Sequence, residues 1–211
     1  MNVASLEDTL HLGAAELGVA LLSSQEAKLI AYLELLLKWN KVYNLTAVRE
    51  PQAMVTQHLL DSLSVLPHLG EVATLVDVGA GAGLPGIPLA IARPQLKVVL
   101  ADASHKKTSF MQQALLELAL PNASVRCERV ERLRLSAPAD AVICRAFADL
   151  KEFARLARHL VAPGGRLLAM KGLYPHEELL QLPPEVVLRD VIPLRVPGLA
   201  AQRHLVVMEV R

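Results

Sequence analysis

Three glycines at alternate positions, Gly79, Gly81 and Gly83, follow an acid, Asp77, and precede Leu84-Pro85-Gly86. Glycine lets a backbone turn sharply and approach a ligand without a Cβ in the way, so the spacing reads as a ligand-approach loop. The apolar run before it, Leu75, Val76 and Val78, reads as a buried strand, and Pro85 suits the first turn of a helix. Strand, loop and helix N-terminus together describe a nucleotide site at the carboxyl edge of a parallel sheet. A pyrophosphate fits this loop poorly. A dinucleotide loop spaces its glycines Gly-x-Gly-x-x-Gly, Pro85 withdraws an N–H donor, and Asp77 opposes a polyanion. Asp77 suits an ammonium group instead. Asp102, about 20 residues past the loop, stands where a strand end accepts from both ribose hydroxyls. The ligand described has a ribose, a positive group and no required phosphate, which fits S-adenosylmethionine.

Other reactive residue types are few. Arg145 closes a strand, and its placement suits an anion, either a cofactor carboxylate or a phosphate. Cys144 alternates inward on that strand and reads as a buried, inert thiol rather than a nucleophile. His58 and Asp61 are three apart on a helix and share a face, as an acid–base pair or an ion pair. The seven histidines and two cysteines, Cys127 and Cys144, show no metal-ligand spacing, so no metal is expected. Few cysteines, the absence of a basic leader over Met1–Asp8 and no apolar run of membrane-spanning length predict a cytoplasmic protein off the membrane. A net charge of +1 excludes an indiscriminate polyanion binder, so nucleic-acid contacts must be local. Candidates are Lys38, Lys41, Lys106, Lys107, Arg145, Lys151, Arg155 and Arg158.

The elements that must position these residues follow from periodicity. With 211 residues, 53% of them hydrophobic, the chain suits one α/β unit with an added element. Residues 5–17 have helical spacing. Ser23-x-x-Glu26 has the form of a capping box before a long amphipathic helix, which ends in Lys38–Thr46 with Trp39 and Tyr43 as packing or base-facing aromatics. A helix is expected from Pro51 to Leu66, ended by Pro67. Strands are expected at residues 75–78, 97–101, 125–127, 141–144, 166–170, 186–192 and 204–210. Helices alternate with them, one capped by Ser104 and one over residues 149–160, and Pro163-Gly164-Gly165 forms a turn. The last two strands make an antiparallel excursion. The expected fold is α/β, a Rossmann-like, mostly parallel seven-stranded sheet at residues 71–211, with residues 1–70 as a helical extension packed on it.

Several segments together resemble a known family. They are Trp39-Asn40-x-x-x-Asn44-Leu45-Thr46, His58-x-x-Asp61-Ser62-Leu63, Asp77 to Leu89, Arg129-Val130-Glu131 and Arg145-Ala146-Phe147-Ala148. They resemble the bacterial small-subunit rRNA methyltransferase G family, also called glucose-inhibited division protein B, from about residue 25 onward. The resemblance implies that residues 71–211 are a class I S-adenosylmethionine-dependent methyltransferase domain, transferring a methyl group to N7 of guanosine 527 in the 530 loop of 16S rRNA. It implies cofactor contacts at Gly79, Leu84, Val130, Glu131 and Arg145, to which the loop reading adds Gly81 and Asp102. Arg145 is the expected catalytic residue; Asn40, Asn44, His58, Asp61 and Lys106 are candidate substrate contacts. The partner implied is 16S rRNA within the small subunit or an assembly intermediate, met by a monomer. Guanine N7 already carries an in-plane lone pair, so the reaction needs in-line positioning and no strong general base. The near-neutral charge leaves a small-molecule methyltransferase as the alternative.

Overall fold

A computed structural model describes residues 5–211; Met1 to Ala4, half of the stretch read above for a leader, lie outside the described residues. Helix α1 (Leu6–Glu16) is capped by Ser5, whose hydroxyl accepts from the Asp8 N–H while the Asp8 carboxylate accepts from the Ser5 N–H. The expected box at Ser23–Glu26 does not form. Ser23 is already helical in α2 (Ser23–Tyr43), and Gln25 accepts from the Leu22 N–H at 2.8 Å. The Gln25 amide also donates to the carbonyls of Ile91 and Ala92 at 3.0 and 2.9 Å. A carboxylate has no proton to give those carbonyls, which explains why the amide takes this place; Glu26 pairs with His11 instead. Leu29, Tyr32, Leu33 and Leu36 form the buried stripe of α2, which ends at Asn44 in the left-handed region, φ 49°.

Helix α3 (Pro51–Met54) runs through a π turn (Val55–Leu60) into α4 (Asp61–Leu63). The helix therefore stops short of Leu66. Pro67 does not end it but lies in the first turn of a separate helix, α5 (Leu66–Leu69), where its missing N–H costs nothing.

Strand β1 (Thr74–Val78), α6 (Gly86–Ala92), β2 (Lys97–Asp102), α7 (His105–Glu117), β3 (Ala123–Cys127) and β4 (Ala139–Arg145) follow. Then come α8 (Leu150–Ala157), a 3-10 turn (Arg158–Leu160), β5 (Val161–Lys171), α9 (His176–Leu179), β6 (Val186–Pro193) and β7 (His204–Val210). The seven strands lie in the order β3-β2-β1-β4-β5-β7-β6, with β7 antiparallel to both neighbours and all other pairings parallel. Pro163-Gly164-Gly165 is not a turn. It lies inside β5, opposite a register shift between Ala139 and Ala141 of β4, so the extra residues form a bulge.

Each central strand is buried on both faces, as parallel strands covered by helices must be. Leu75, Ala141, Ile143, Leu168 and Met170 point to the layer holding α1, α2, α6 and α7. Val76, Val142, Leu167 and Ala169 point to the layer of α8, with Phe153 and Leu160. The N-terminal helices thus share one core with the sheet. The strand order reverses between β1 and β4, and there the carboxyl edge opens into the crevice that receives ligands in such sheets.

Candidate active site

The glycine loop joins β1 to α6 with Gly79, Gly81 and Gly83 at φ 66°, 61° and 82°, conformations costly for any residue with a Cβ. Asp77 lies beneath it, fully buried, and accepts from the Gly86 N–H at 2.8 Å. A Cβ at Gly86 would strike Leu100 and stand 2.8 Å from the Asp77 carboxylate. The other Asp77 oxygen has no partner among the described residues, and burial pushes the pKa from 3.8 up to about 7. Pro85 stands just before α6 rather than inside its first turn. From above, the buried hydroxyl of Tyr32 on α2 donates to the Ala82 carbonyl at 2.6 Å. The loop is held from both sides.

A cleft of about 420 Å³ opens over this loop, with Gly79 on its floor and Asp102, Lys107, Val130, Glu131 and Phe147 around it. Asp102, at the end of β2, accepts from Gly81 N–H at 3.0 Å and Ser104 N–H at 2.9 Å, with Lys107 Nζ 3.5 Å away. A carboxylate has about four acceptor positions, so it retains capacity for further hydroxyl donors. The Phe147 ring packs where a Gly79 side chain would stand. Val130, Ala101 and Phe147 supply apolar wall for a flat ring; Asp102, Glu128 and Glu131 outnumber Lys107 and Arg129. These residues fit a cationic nucleoside better than a polyphosphate, while Asp77, expected to meet the positive group, is fully buried and does not line the cleft. Leu84 is buried beneath the loop and does not line the cleft, nor does Gly81, whose N–H is committed to Asp102.

A second cavity, of about 440 Å³, lies beside the first and is lined by Gln57, His58, Asp61, Arg145, Lys171 and Arg203 among others. Asp61, 1% exposed, accepts from Arg145 at 3.0 Å and from Arg203 Nε at 2.9 Å. Arg145 also donates to the Gln57 carbonyl at 3.1 Å in the π turn, a helix irregularity common at functional sites. Of the two anions expected for Arg145, a cofactor carboxylate or a phosphate, its position favours the second, because it lines this cavity and not the cleft over the glycine loop. His58 does not pair with Asp61. Its Nε2 meets the Thr46 hydroxyl at 2.8 Å and its Nδ1 has no partner among the described residues. Burial, with Arg145 nearby, lowers its pKa from 6.5 to about 4, so His58 is neutral near pH 7. Ala146 is common to both cavities and takes φ 51°, a strained conformation for a residue with a Cβ.

The remaining candidates sit elsewhere. Asn40 is buried and accepts from the Thr46 N–H at 2.9 Å, which anchors the loop carrying Thr46; Asn44 binds Arg49 at the surface. Lys106 lines neither cavity, while its neighbour Lys107 lines the cleft. Trp39 stacks on Tyr43 and packs edge-on against Phe110, away from both cavities. Cys144 is buried, and desolvation raises its thiol pKa far beyond the usual range. Among the described residues no three His, Cys, Asp or Glu side chains are grouped to hold a metal ion, and no helix is long and apolar enough to cross a membrane. Sequence reasoning missed Tyr32, Lys171 and Arg203. Tyr32 left a trace as a hydroxyl within an apolar stripe, but only the β5–β7 pairing brings Lys171 and Arg203 together.

Known proteins share this fold and much of this sequence. A glycopeptide N-methyltransferase, MtfA, solved with S-adenosyl-L-homocysteine, superposes with a TM-score of 0.62 at 12% identity, over 72% of this chain and 90% of that one. Ribosomal RNA small subunit methyltransferase G of Nitrosospira multiformis is 53% identical over 93% of this chain and 94% of its own length. The corresponding protein of Laribacter hongkongensis is 53% identical over 98% of this chain and 100% of its own. The family model described as rRNA small subunit methyltransferase G matches residues 25–206, and the chain belongs to that family of S-adenosylmethionine-dependent methyltransferases.

Proposed function

We propose that this enzyme methylates N7 of guanosine 527 in the 530 loop of 16S rRNA, within the small ribosomal subunit or an assembly intermediate. The observation that carries the reading is the pair of cavities sharing Ala146, one suited to a cationic nucleoside and one lined by arginines. S-adenosylmethionine in the first would supply an electrophilic methyl group. Gly79, Asp102, Val130 and Glu131 would hold it.

The acceptor cavity needs to hold a flipped base and leave N7 free. Positive charge grows on the base as N7 acquires the methyl group, so a bare cation against N7 would oppose the reaction. Asp61 answers this. It accepts from Arg145 and Arg203 at once, which orients both guanidinium groups and moderates their charge. Their remaining N–H groups suit guanine O6 or the adjoining phosphate. No group in the cavity has to remove a proton before attack, which accords with a neutral, buried His58 and with the inert Cys144.

Incubating the protein with radiolabelled S-adenosylmethionine and small subunits lacking the modification, then mapping the labelled nucleotide, tests the reading. Label is expected at guanosine 527 alone. Label at another nucleotide, or only in small molecules, would refute it.

A further inference from the structure

The methylated nucleotide must have neighbours, and the rim of the acceptor cavity carries an aromatic cluster that the reaction itself does not use. Tyr174 lies between β5 and α9, three residues beyond Lys171, which lines the cavity. Its ring packs on His176 at 4.4 Å and meets His204 edge-on at 5.6 Å, yet Tyr174 remains 41% exposed. The adjacent Leu173 is 76% exposed. The cluster is pinned to the sheet. His204 is paired in register with Lys171, follows Arg203 directly, and its Nδ1 lies 2.8 Å from the Gly172 carbonyl. Arg203, Lys171 and Gly172 all line the cavity, so the aromatic rings adjoin its mouth on the side with two cations. Trp39 and Tyr43, the aromatic pair conspicuous in the sequence, line neither cavity and have no such position.

An exposed ring braced by two others beside a cationic pocket is a platform for a flat, sequence-tolerant partner. Unpaired RNA bases are recognised in this way, stacked on aromatic side chains while cations hold the phosphates. We infer that Tyr174, backed by His176 and His204, stacks the base of an unpaired nucleotide adjoining the methylated guanosine. The inference rests on the rRNA reading above. It adds a binding site outside the acceptor cavity and gives Tyr174 a role in docking rather than in chemistry. Lys171 braces the platform from below by binding Glu178 of α9 at 2.7 Å and the Ala148 carbonyl at 3.0 Å.

The test compares wild type, Tyr174→Ala and Tyr174→Phe with unmodified small subunits and labelled cofactor. Tyr174→Ala should raise KM for subunits about tenfold, the loss of one base stack, with KM for S-adenosylmethionine and the thermal midpoint unchanged. Tyr174→Phe should restore the wild-type KM, because stacking needs the ring and not the hydroxyl. In a Tyr174→Trp variant, fluorescence beyond the Trp39 background should be quenched by a short RNA spanning the target loop. An unchanged KM in Tyr174→Ala, with label still at the mapped guanosine in wild type, overturns the inference and leaves the rRNA reading intact. A raised KM without quenching assigns the rim to a ribosomal protein and also overturns it. Wild type that labels no RNA overturns both.

Discussion

Two acidic side chains, Asp77 and Asp61, carry much of the site's character, in opposite ways. Asp77 is buried with one unpartnered oxygen and a pKa raised from 3.8 to about 7. A carboxyl whose native pKa exceeds its unfolded value stabilises the fold while protonated. That contribution is complete below about 3.8 and is lost as pH rises through about 7. Asp77→Asn keeps an oxygen for the Gly86 N–H and removes the charge. Its thermal midpoint should exceed that of wild type above pH 7, and the difference should vanish below pH 4. Calorimetry should show weaker S-adenosylmethionine binding in the variant, because a cation favours the ionised acid. Asp61 instead spends its charge on two arginines. Arg145→Ala leaves Asp61 paired with Arg203, so the unfolding midpoint should shift little. Subunit methylation should fall at least a hundredfold with cofactor affinity retained, since Arg145 lines the second cavity and not the cleft; equal loss of cofactor binding would return Arg145 to the cleft. The sequence exposed Asp77 and Asp102 because they stand at fixed offsets from a glycine loop. It left the company of Asp61 hidden, because Arg203 lies 142 positions away along the chain.

Helix α2 is the element that the sequence described best and explained least. Its apolar period predicted a buried face, and the face is buried. Its polar members revealed nothing until their partners were in view. Gln25 ties the C-terminal end of α6 to α2, and Tyr32 ties the glycine loop to it, so both ends of the loop–helix unit rest on one rod. Tyr32→Phe keeps the ring and frees the Ala82 carbonyl. Denaturant unfolding should show a loss of about 1 kcal/mol, the net worth of a hydrogen bond. A several-fold weaker affinity for S-adenosylmethionine by calorimetry should accompany it, while KM for subunits stays put. The misread elements have local causes. An amide at Gln25 outcompeted the Ser23–Glu26 box because it can donate as well as accept, and the glycines after Pro163 were absorbed as a bulge by a strand with a partner on each side.

At the scale of the whole molecule, the division at residue 70 drawn from sequence marks a change of pattern within one shared core. Leu29, Leu33, Leu59 and Leu63 belong to the same apolar cluster as Leu75, Ile143 and Leu205. Each buried leucine is worth roughly 2 kcal/mol, against about 5–15 kcal/mol for an entire domain. A fragment of residues 71–211 should therefore be insoluble or unfolded by circular dichroism, and a folded monomeric fragment would count against this account. The topology was legible because alternating strands and helices admit few arrangements, whereas the second cavity joins the π turn, β4, β5 and the approach to β7 and has no linear signature. That cavity shares Ala146, at φ 51°, with the cleft over the glycine loop. A positive φ suits glycine best, so the position where the two cavities meet accepts few side chains without strain. A β-branched or bulky residue at position 146 is opposed by the backbone itself, so the wall common to both cavities admits little variation whatever space surrounds it.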